Sequence, residues 1–353
     1  MSRRKDQQSL LPIETRKNQH VEIALSRDVE QEFSWGGFQD YQLEHCALPE
    51  LSLSEIDTST VFLGKQVSLP LVISPITGGT PETFTILRTL AEAAEEKKVA
   101  LGVGSQRIAM ENQRSSDFFR IRDVAPSIPI LANLGAVQLN YGLTVCHCQK
   151  AVDMVEADAL VLHLNPLHES LQNDGNTDFR NLLPKIDSVI KSISVPVIIK
   201  EVGFGISLQV ARKLASIGVA AIDLAGAGGT SWPLIESSRA LSKEQQQLAL
   251  SFTSWGLPTA WLLEQYRKEL RPLGVQIIAS GGIRSGIDIA KSIAMGASMA
   301  GIGLPFLRAS ADGTASVTRL IDRLRTELLL SMFNTGSPNI KALSKARVIP
   351  LRT

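Results

Sequence analysis

The chain of 353 residues has few cysteines and no excess of charge of either sign. Its three cysteines, Cys46, Cys146 and Cys148, are too few and odd in number for a disulfide framework, which favours a reducing, cytoplasmic compartment. Lys and Arg total 36 against 35 Asp and Glu, and the formal net charge is +1. This balance argues against a broad basic surface for nucleic acid or an anionic membrane. Any anion site must be local.

Long apolar segments are also missing. The N-terminus offers only the short run 10–13, below the roughly 7 to 15 apolar residues of a secretion signal. The longest stretch without charged side chains, 124–149, is interrupted by prolines and polar residues, whereas a membrane-spanning helix needs about 20 predominantly apolar residues. We therefore expect neither secretion nor a membrane span. With 44% hydrophobic residues, the chain has enough apolar material for a large core.

Eight short apolar runs follow one another from residue 70, spaced by about 25 to 50 residues. Continuous apolar runs are typical of parallel strands buried on both faces, and each gap has room for a crossover helix. The runs are 70–79, 99–105, 129–135, 159–165, 196–203, 220–229, 276–282 and 299–306. Helical patterns occupy 85–97, 146–156, 179–193, 208–216, 259–270, 286–295 and 315–333.

Eight successive strand–helix units predict an α/β fold of the (β/α)8 TIM-barrel class, with the functional site at the carboxyl ends of the strands. A doubly wound sheet is the alternative. Residues 1–69 are polar and irregular in pattern and are interpreted as an N-terminal arm or cap. The barrel is then expected over 70–335, followed by a C-terminal tail, 336–353.

Polar side chains at the strand ends are candidates for ligand contacts, because a polar group in an apolar strand needs a partner. Lys200 ends the fifth run, and its ammonium would meet either a ligand or an internal ion-pair partner, Glu201 or Asp223. Ser105, Gln106 and Arg107 together could clamp a diphosphate.

For Arg107 the alternative is a surface ion pair with Glu111. Glu169, after the fourth run, is either a solvated acid or a Mg²⁺ ligand, since Mg²⁺ is usually held by one or two carboxylates together with phosphate oxygens. The SGGIRSG segment (280–286) after the seventh run and the GIGLPF segment (301–306) of the eighth are placed where barrels frequently bind phosphate. A simple tight turn is the alternative for SGGIR.

Two absences narrow the chemistry. No histidine follows His168, so the base that flavin 2-hydroxyacid oxidases place near the seventh strand is missing. No cysteine follows Cys148, which excludes a thiol nucleophile on the sixth-strand loop, as in inosine-monophosphate dehydrogenases. The Cys-His-Cys segment 146–148 lacks the spacing and the second pair of a zinc site, and we interpret it as packing.

Ten motifs in order resemble the type 2, FMN-dependent isopentenyl diphosphate isomerases. The similarity covers nearly the whole chain, from about Arg16 to the region of Asn339. The motifs are RKNQH (16–20), FLGK (62–65), ITGG (76–79), GSQR (104–107), ANLG (132–135), HLNPLHE (163–169), KEVGFGIS (200–207), DLAGAGGTSW (223–232), WGLPT (255–259) and ASGGIRSGIDIAKSIAMGA (279–297).

The resemblance implies an isomerase of isoprenoid biosynthesis that interconverts isopentenyl and dimethylallyl diphosphate by allylic proton transfer. It implies FMN, used in the reduced form and reduced by NADPH or NADH, together with Mg²⁺ and a homo-oligomer, tetrameric or octameric. Reduced FMN, through N5, is the hypothesised acid and base. A flavin oxidoreductase that passes hydride to another acceptor and a non-catalytic binding module are the competing classes.

The resemblance also assigns residues to the site. It implies His168 and Lys200 as catalytic residues, with Lys200 near the N1–C2 oxygen region of the flavin, and Glu169 as the metal ligand. The implied FMN contacts are Ile76, Thr77, Gly78, Ser105, Asn133, Lys200, Thr230, Gly282, Ile283, Arg284, Gly303 and Leu304. The implied substrate contacts are Arg16, Lys17, His20, Ser105, Gln106, Arg107 and His168.

Two positions depart from the family pattern. His168 stands where the family commonly has Gln, next to the substrate, and we expect it to act as a neutral contact that keeps the hydrogen bond. Ala225 stands where some members place a Ser near the flavin. The loss of one hydroxyl contact weakens binding by about 0.5 to 1.5 kcal/mol.

Overall fold

The computed structural model describes residues 13–31, 35–269 and 274–351. Its first helix, α1 (Ile13–Ser26), is followed by a 3-10 turn (Trp35–Asp40) that leads into strand β1 (Tyr41–Leu43). A second 3-10 turn (Leu53–Glu55) precedes the hairpin of β2 (Thr60–Phe62) and β3 (Lys65–Val67), which pair antiparallel. The described part of the segment interpreted as an N-terminal arm or cap therefore contains a regular helix and strands.

Eight parallel strands close into a barrel, which confirms the TIM-barrel prediction and removes the doubly wound alternative. The strands are β4 (Leu71–Ile73), β5 (Ala100–Gly102), β6 (Ile130–Gly135), β7 (Ala159–His163), β8 (Val197–Lys200), β9 (Ala221–Asp223), β10 (Gln276–Ser280) and β11 (Met299–Ile302). Each pairs with its neighbour in the chain, and β11 returns to β4 with Gly301 opposite Val72.

Helices surround the barrel and occupy its strand-to-strand connections. They are α2 (Pro81–Lys97), α3 (Arg107–Glu111), α4 (Val145–Val155), α5 (Pro166–Leu171), α6 (Leu182–Ser192), α7 (Leu208–Ser216), α8 (Trp232–Arg239), α9 (Lys243–Leu250), α10 (Thr259–Glu269), α11 (Gly286–Ala294), α12 (Leu304–Ser310) and α13 (Thr314–Phe333). Two further 3-10 turns span Gln113–Phe119 and Ala136–Asn140.

Capping explains where α2 begins, four residues before the predicted start. Thr80 accepts a hydrogen bond from the backbone N–H of Thr83, and Pro81 occupies the first turn, where its missing N–H costs nothing. Helix α7 has the predicted bounds, because Ser207 caps its first turn. The short helices α3, α5, α8, α9 and α12 were not predicted.

The C-terminal residues return to the N-terminal segment. Helix α14 (Ile340–Leu343) is capped by Asn339, and strand β12 (Val348–Pro350) pairs antiparallel with β1. The segment predicted as a tail thus contributes a strand to a two-stranded sheet with residues from the other end of the chain.

The interior of the barrel is a separate apolar cluster from the layer between strands and helices. Each strand contributes at least one buried side chain to it, and the hairpin adds Phe62 and Val67, both fully buried. The hairpin therefore lies against the apolar filling of the barrel. The strands supply Val72, Ala100, Leu131, Ala159, Val161, Ile198, Ala221, Ile278 and Met299.

Within the described part of the chain, no helix is long and apolar enough to cross a membrane.

Leu101 provides a test of the layer between the strands and the helices. It is fully buried in β5. Leu101→Ala is expected to lower the free energy of unfolding by about 2 to 5 kcal/mol, because it leaves a cavity that the barrel wall cannot close. Leu330→Ala, at a side chain that is 45% exposed on α13, should change it by less than about 0.5 kcal/mol. Urea unfolding of both variants measures the difference, and equal losses would contradict this account of the core.

Candidate active site

A cavity of about 270 Å³ lies at the carboxyl ends of the barrel strands, beneath α1. Its walls combine side chains from α1 with residues that follow most of the strands. The lining residues include Arg16, Lys17, His20, Ser74, Ile76, Thr77, Ser105, Arg107, Asn133, His163, Asn165, His168, Glu169, Gln172, Lys200, Ala225, Thr230, Trp232, Ser280, Gly282, Ile283, Arg284, Gly303 and Leu304.

At one end of the cavity, backbone segments from different loops lie very close to each other. Gly281 has φ +99°, and a Cβ there would lie 2.0 Å from the carbonyl oxygen of Gly226. Gly282 has φ +81°, and its Cβ would lie 2.4 Å from the Gly36 nitrogen. Only glycine fits these positions, so the SGGIR segment forms a bare backbone cradle.

Arg284 lies beside this cradle. Its Nε and Nη2 both donate to Glu30 Oε2, at 3.1 and 2.8 Å, and Arg308 Nη1 donates to the other oxygen of Glu30 at 3.2 Å. Backbone with exposed N–H groups, next to a guanidinium, is a suitable environment for a phosphate.

Lys200 ends β8 in a buried ion pair. Its Nζ lies 3.0 Å from Asp223 Oδ2 and 3.3 Å from Ser280 Oγ, and Ser280 in turn donates to Asp223 Oδ1. Lys200 nevertheless lines the cavity, so the ion pair and an exposed face toward a ligand coexist.

Glu201 is not the partner of Lys200. Its Oε2 accepts the backbone N–H groups of Val202, Gly203 and Phe204 at 2.6 to 2.7 Å and that of Gly205 at 3.2 Å. This carboxylate organises the loop after β8 and faces away from the ion pair.

Asn133 and His163 form a fixed pair at the ends of β6 and β7. The amide nitrogen of Asn133 donates to the Val103 carbonyl, so its Oδ1 accepts the Nδ1–H of His163 at 2.9 Å. The Nε2 of His163 is then the acceptor nitrogen. Burial, with the nearby His168, Lys200 and Lys17, lowers the pKa of His163 to about 3, which keeps the ring neutral.

Gln106 does not line the cavity. Its amide nitrogen donates to Ala151 O at 2.8 Å, and its oxygen accepts the backbone N–H of Asn133 at 2.9 Å. Its observed contacts therefore hold the backbone of Asn133 and include no contact with the cavity. Gly78 is also outside the lining, and its carbonyl oxygen accepts a hydrogen bond from Lys17 at 2.5 Å.

Helix α1 lies over the mouth and presents three polar side chains to it. Lys17 Nζ donates to Gly78 O and Ser105 O, and Arg16 Nη1 donates to Gln172 Oε1 and to Asp174 at 2.9 to 3.0 Å. Burial, followed by the charge of Arg16, lowers the pKa of Lys17 to about 7. A lysine amine with so low a pKa is partly neutral near pH 7, and it would take up a proton when an anion binds beside it.

Arg107 forms the ion pair with Glu111 that was the alternative prediction, and it also lines the cavity. Its Nε donates to Glu111 Oε1 at 2.8 Å along α3, and its Nη1 donates to Asn176 Oδ1 at 3.1 Å while the residue lines the cavity.

Glu169 lies on α5 in a group of oxygen and amide side chains. Its Oε1 accepts the amide of Asn165 at 2.8 Å, and its Oε2 accepts the backbone N–H of Asn176 at 2.6 Å. Asn165 Oδ1 is buried and has no hydrogen-bond partner among the described residues. A carboxylate beside an unpartnered amide oxygen matches the oxygen ligands that hard cations take.

A second carboxylate, Glu236 on α8, was not predicted. Its Oε1 lies 2.9 Å from the Nε2 atoms of both His20 and His168, and Arg239 donates to its Oε2 at 2.6 Å. Trp232 stacks on His168 with ring centroids 4.1 Å apart. Although burial alone would raise it, the hydrogen bonds to the two histidines hold the pKa of Glu236 well below its usual range.

Burial lowers the pKa of His20 to about 4, despite its contact with Glu236. Sequence reasoning found both histidines but missed Glu236, Gln172 and Trp232. The only signal for them was the DLAGAGGTSW motif, which contains Trp232.

The structure thus gathers nearly all predicted site residues around one cavity. Ala225, the departure near the predicted flavin position, lines it with φ +38°. The predicted residues that line it are Arg16, Lys17, His20, Ile76, Thr77, Ser105, Arg107, Asn133, His168, Glu169, Lys200, Thr230, Gly282, Ile283, Arg284, Gly303 and Leu304. Their roles toward a ligand remain predictions.

Known proteins resemble this chain in sequence and in fold. The family model described as FMN-dependent dehydrogenase matches residues 147–350. The isopentenyl-diphosphate delta-isomerase of Nostoc sp. is 45% identical over 330 residues, 94% of each chain. That of Synechococcus sp. is 46% identical over 334 residues, 95% of each chain.

Solved structures of mandelate oxidase share the fold. The structure with (S)-2-phenylpropionate aligns with a TM-score of 0.64 at 17% identity, covering 94% of each chain. That with 3,3-difluoro-2-hydroxy-3-phenylpropionic acid gives the same TM-score, identity and coverage. At this identity the likeness concerns the fold alone.

Identity near 45% over almost the full length of both chains, together with the FMN-dependent family match, confirms the predicted relationship. The chain belongs to the FMN-dependent, type 2 class of the isopentenyl-diphosphate delta-isomerase family.

Proposed function

We propose that the protein interconverts isopentenyl diphosphate and dimethylallyl diphosphate, with reduced FMN and Mg²⁺ bound in the cavity and NADPH or NADH as the reductant. One observation carries the proposal: the cavity has two separate anion-favouring ends. The glycine cradle with Arg284 forms one end, and α1, Arg107 and Glu169 form the other. Two ends of this kind suit two phosphate-bearing molecules, a flavin mononucleotide and a prenyl diphosphate.

The residues present fit FMN. Ser74 Oγ is buried, lines the cavity and has no hydrogen-bond partner among the described residues, so it is free to meet a ligand. Gly282, Ile283 and Arg284 would hold the phosphate, and Thr77 and Lys200 would contact the ring system. When bound, reduced FMN supplies an electron-rich ring and a proton at N5 for the allylic transfer.

Mg²⁺ fits the pair of Glu169 and Asn165, which offers a carboxylate and the unpartnered amide oxygen. The ion would neutralise charge on the diphosphate. Arg16, Lys17 and Arg107 would bind the same group. The unprotonated Nε2 of His163 would accept a hydrogen bond from a donor group of the bound ligand.

The protein residues then act by binding and orientation. The diphosphate is remote from the reacting carbons, so its binding energy positions a small apolar group that offers few contacts of its own. Lys200, held by Asp223 and Ser280, places a fixed positive charge at the cavity floor, where it favours an anionic ring. His168 would contact the substrate as a neutral ring.

The competing oxidoreductase activity lacks a base in the predicted place, since no histidine follows His168. Substrate-dependent oxidation of the flavin would favour it. We also propose that the protein is a cytoplasmic homo-oligomer, a tetramer or octamer, and the exposed apolar side chains of Leu241, Leu248 and Trp255 support self-association.

Isomerase activity is the direct test. Under anaerobic conditions with FMN, NADPH and Mg²⁺, the protein should convert isopentenyl diphosphate, and Glu169→Gln should lower kcat/KM at least about 100-fold, since outer-shell partners of a metal alone are worth roughly 10- to 100-fold. Glu96→Gln, at an exposed carboxylate on α2, is the matched control and should keep full activity. No turnover by the protein with bound reduced FMN would overturn the proposal.

Gly281→Ala tests the phosphate cradle. The new Cβ would collide with Gly226 O at a residue with positive φ, and strain of about 1 to 3 kcal/mol corresponds to at least a several-fold loss of FMN affinity. Gly218→Ala, also at positive φ but with open space around its Cβ, should keep FMN affinity. Flavin fluorescence titration of the apoprotein measures both, and unchanged binding by Gly281→Ala would contradict the assignment.

The lowered pKa of Lys17 predicts that diphosphate binding depends on pH. With a free pKa of about 7, Lys17 is mostly neutral at pH 8 and must take up a proton when the anion binds and raises its pKa. The contribution of Lys17 to affinity should therefore fall by up to about tenfold per pH unit above 7. The side chain of Lys17→Arg stays charged, so the affinity of this variant should not show this decrease.

Calorimetry with inorganic diphosphate in two buffers of different ionisation enthalpy measures the proton uptake. The ionisation of diphosphate itself affects both proteins equally, so the difference between them isolates Lys17. Identical pH profiles for the two proteins would refute the role of Lys17 as a titrating anion contact.

A further inference from the structure

Three nitrogen and oxygen ligands meet at one point of the cavity wall and form what we call the His–Glu–His cluster, His20, Glu236 and His168. Both imidazole Nε2 atoms lie 2.9 Å from the same oxygen, Glu236 Oε1. The three ligand atoms all lie within 4.8 Å of one another. Ligand atoms bound to one tetrahedral zinc ion at 2.0 to 2.2 Å are separated by about 3.3 Å. Each nitrogen–oxygen contact would therefore lengthen by a few tenths of an ångström, and the two nitrogens, which lie within 4.8 Å of each other, would have to come to about 3.3 Å.

The cluster is held from three different elements. His20 comes from α1, His168 from α5 and Glu236 from α8, and the His168 and Glu236 side chains are 9% and 3% exposed. Trp232 stacks on His168 and meets His20 edge-on at 5.3 Å. Arg239 holds the second oxygen of Glu236. These contacts fix the three ligands before any ion arrives.

Hydrogen bonds alone do not satisfy the cluster. Arg16 donates to Gln172 Oε1, so the Gln172 amide nitrogen, 2.7 Å from His168 Nε2, must be a donor. A carboxylate accepts only, so the same His168 Nε2 must also donate to Glu236. One nitrogen therefore faces a donor and an acceptor and cannot serve both. A cation at Oε1 and the two Nε2 atoms removes the need for a proton on His168 Nε2. Because the cation uses the lone pair of this nitrogen, the Gln172 amide must leave this contact when the ion binds.

We propose that the His–Glu–His cluster is a binding site for a borderline divalent metal ion of the Zn²⁺ class, distinct from the Mg²⁺ site at Glu169. Two imidazoles and one carboxylate are a ligand set typical of zinc sites that keep an open position, whereas Mg²⁺ prefers oxygen ligands. The open position would face the cavity, which all of His20, His168 and Trp232 line.

The site goes beyond the proposed isomerase activity, and its occupancy does not depend on that activity. Its ligand at position 168 is the residue that departs from the usual Gln of the family. Because His20 lies on α1, a bound ion would also tie this helix to α5 and α8 across the cavity mouth.

The test is Zn²⁺ binding to the full-length, flavin-loaded protein after metal is removed by a chelator. We expect one Zn²⁺ per chain, measured by elemental analysis and by competition with a chromophoric chelator. His20→Gln and His168→Gln should each weaken binding at least about 100-fold, more than the loss of an outer-shell partner. His147→Gln, next to the exposed Cys146, is the matched control for surface binding and should bind Zn²⁺ as the parent protein does.

Co²⁺ in place of Zn²⁺ gives a readout on the unmodified protein. The visible bands of four- or five-coordinate cobalt with nitrogen and oxygen ligands would support the site. A sulfur-to-cobalt charge-transfer band would place the ion on a cysteine and overturn the proposal. Equal Zn²⁺ binding by the parent, His20→Gln and His168→Gln, loss in only one of the two variants, or no uptake by the parent at micromolar Zn²⁺, would also overturn it.

Discussion

The cavity depends on the contact of helix α1 with the mouth of the barrel. Lys17 makes this contact by donating to two carbonyl oxygens, those of Gly78 and Ser105, at the ends of two barrel-strand loops. Because burial lowers the pKa of Lys17 to about 7, an anion in the cavity would stabilise its charged form more than the carbonyls alone do. With a diphosphate bound as we propose, closure of the site and affinity for this ligand would be coupled through one side chain.

At the cavity mouth, most buried polar groups have their own hydrogen-bond or ion-pair partner nearby, which offsets the cost of burying them. Lys200 has Asp223, Glu201 has four backbone N–H groups, and Asn133 is fixed from both sides by Val103 and His163. Among the described side chains that line the cavity, Ser74 Oγ and Asn165 Oδ1 are buried without such a partner. These two atoms are therefore available to a ligand.

The barrel was predictable because parallel strands buried on both faces form continuous apolar runs, and eight of them occur in order. Helix α1 was not, because its polar residues Arg16 and Lys17 face the barrel rather than solvent, which hides the usual apolar stripe. Gln106, predicted as a substrate contact, lies outside the cavity lining because its side chain contacts Ala151 and the backbone of Asn133, whereas its neighbours Ser105 and Arg107 line the cavity. Glu236 was missed because its partners lie 216 and 68 residues away along the chain.

Residues 168 and 169 place two kinds of ligand side by side. They are consecutive on α5, about 100° apart around the helix, so His168 faces His20 and Glu236 while Glu169 faces Asn165 and Asn176. Nitrogen atoms therefore lie on one side of α5 and oxygen atoms on the other, the two ligand types that the proposed Zn²⁺ and Mg²⁺ sites require. With Gln in place of His168, the cluster would keep only the imidazole of His20. The proposed Zn²⁺ site thus depends on histidine at position 168, whereas the contacts of Glu169 with Asn165 and Asn176 do not.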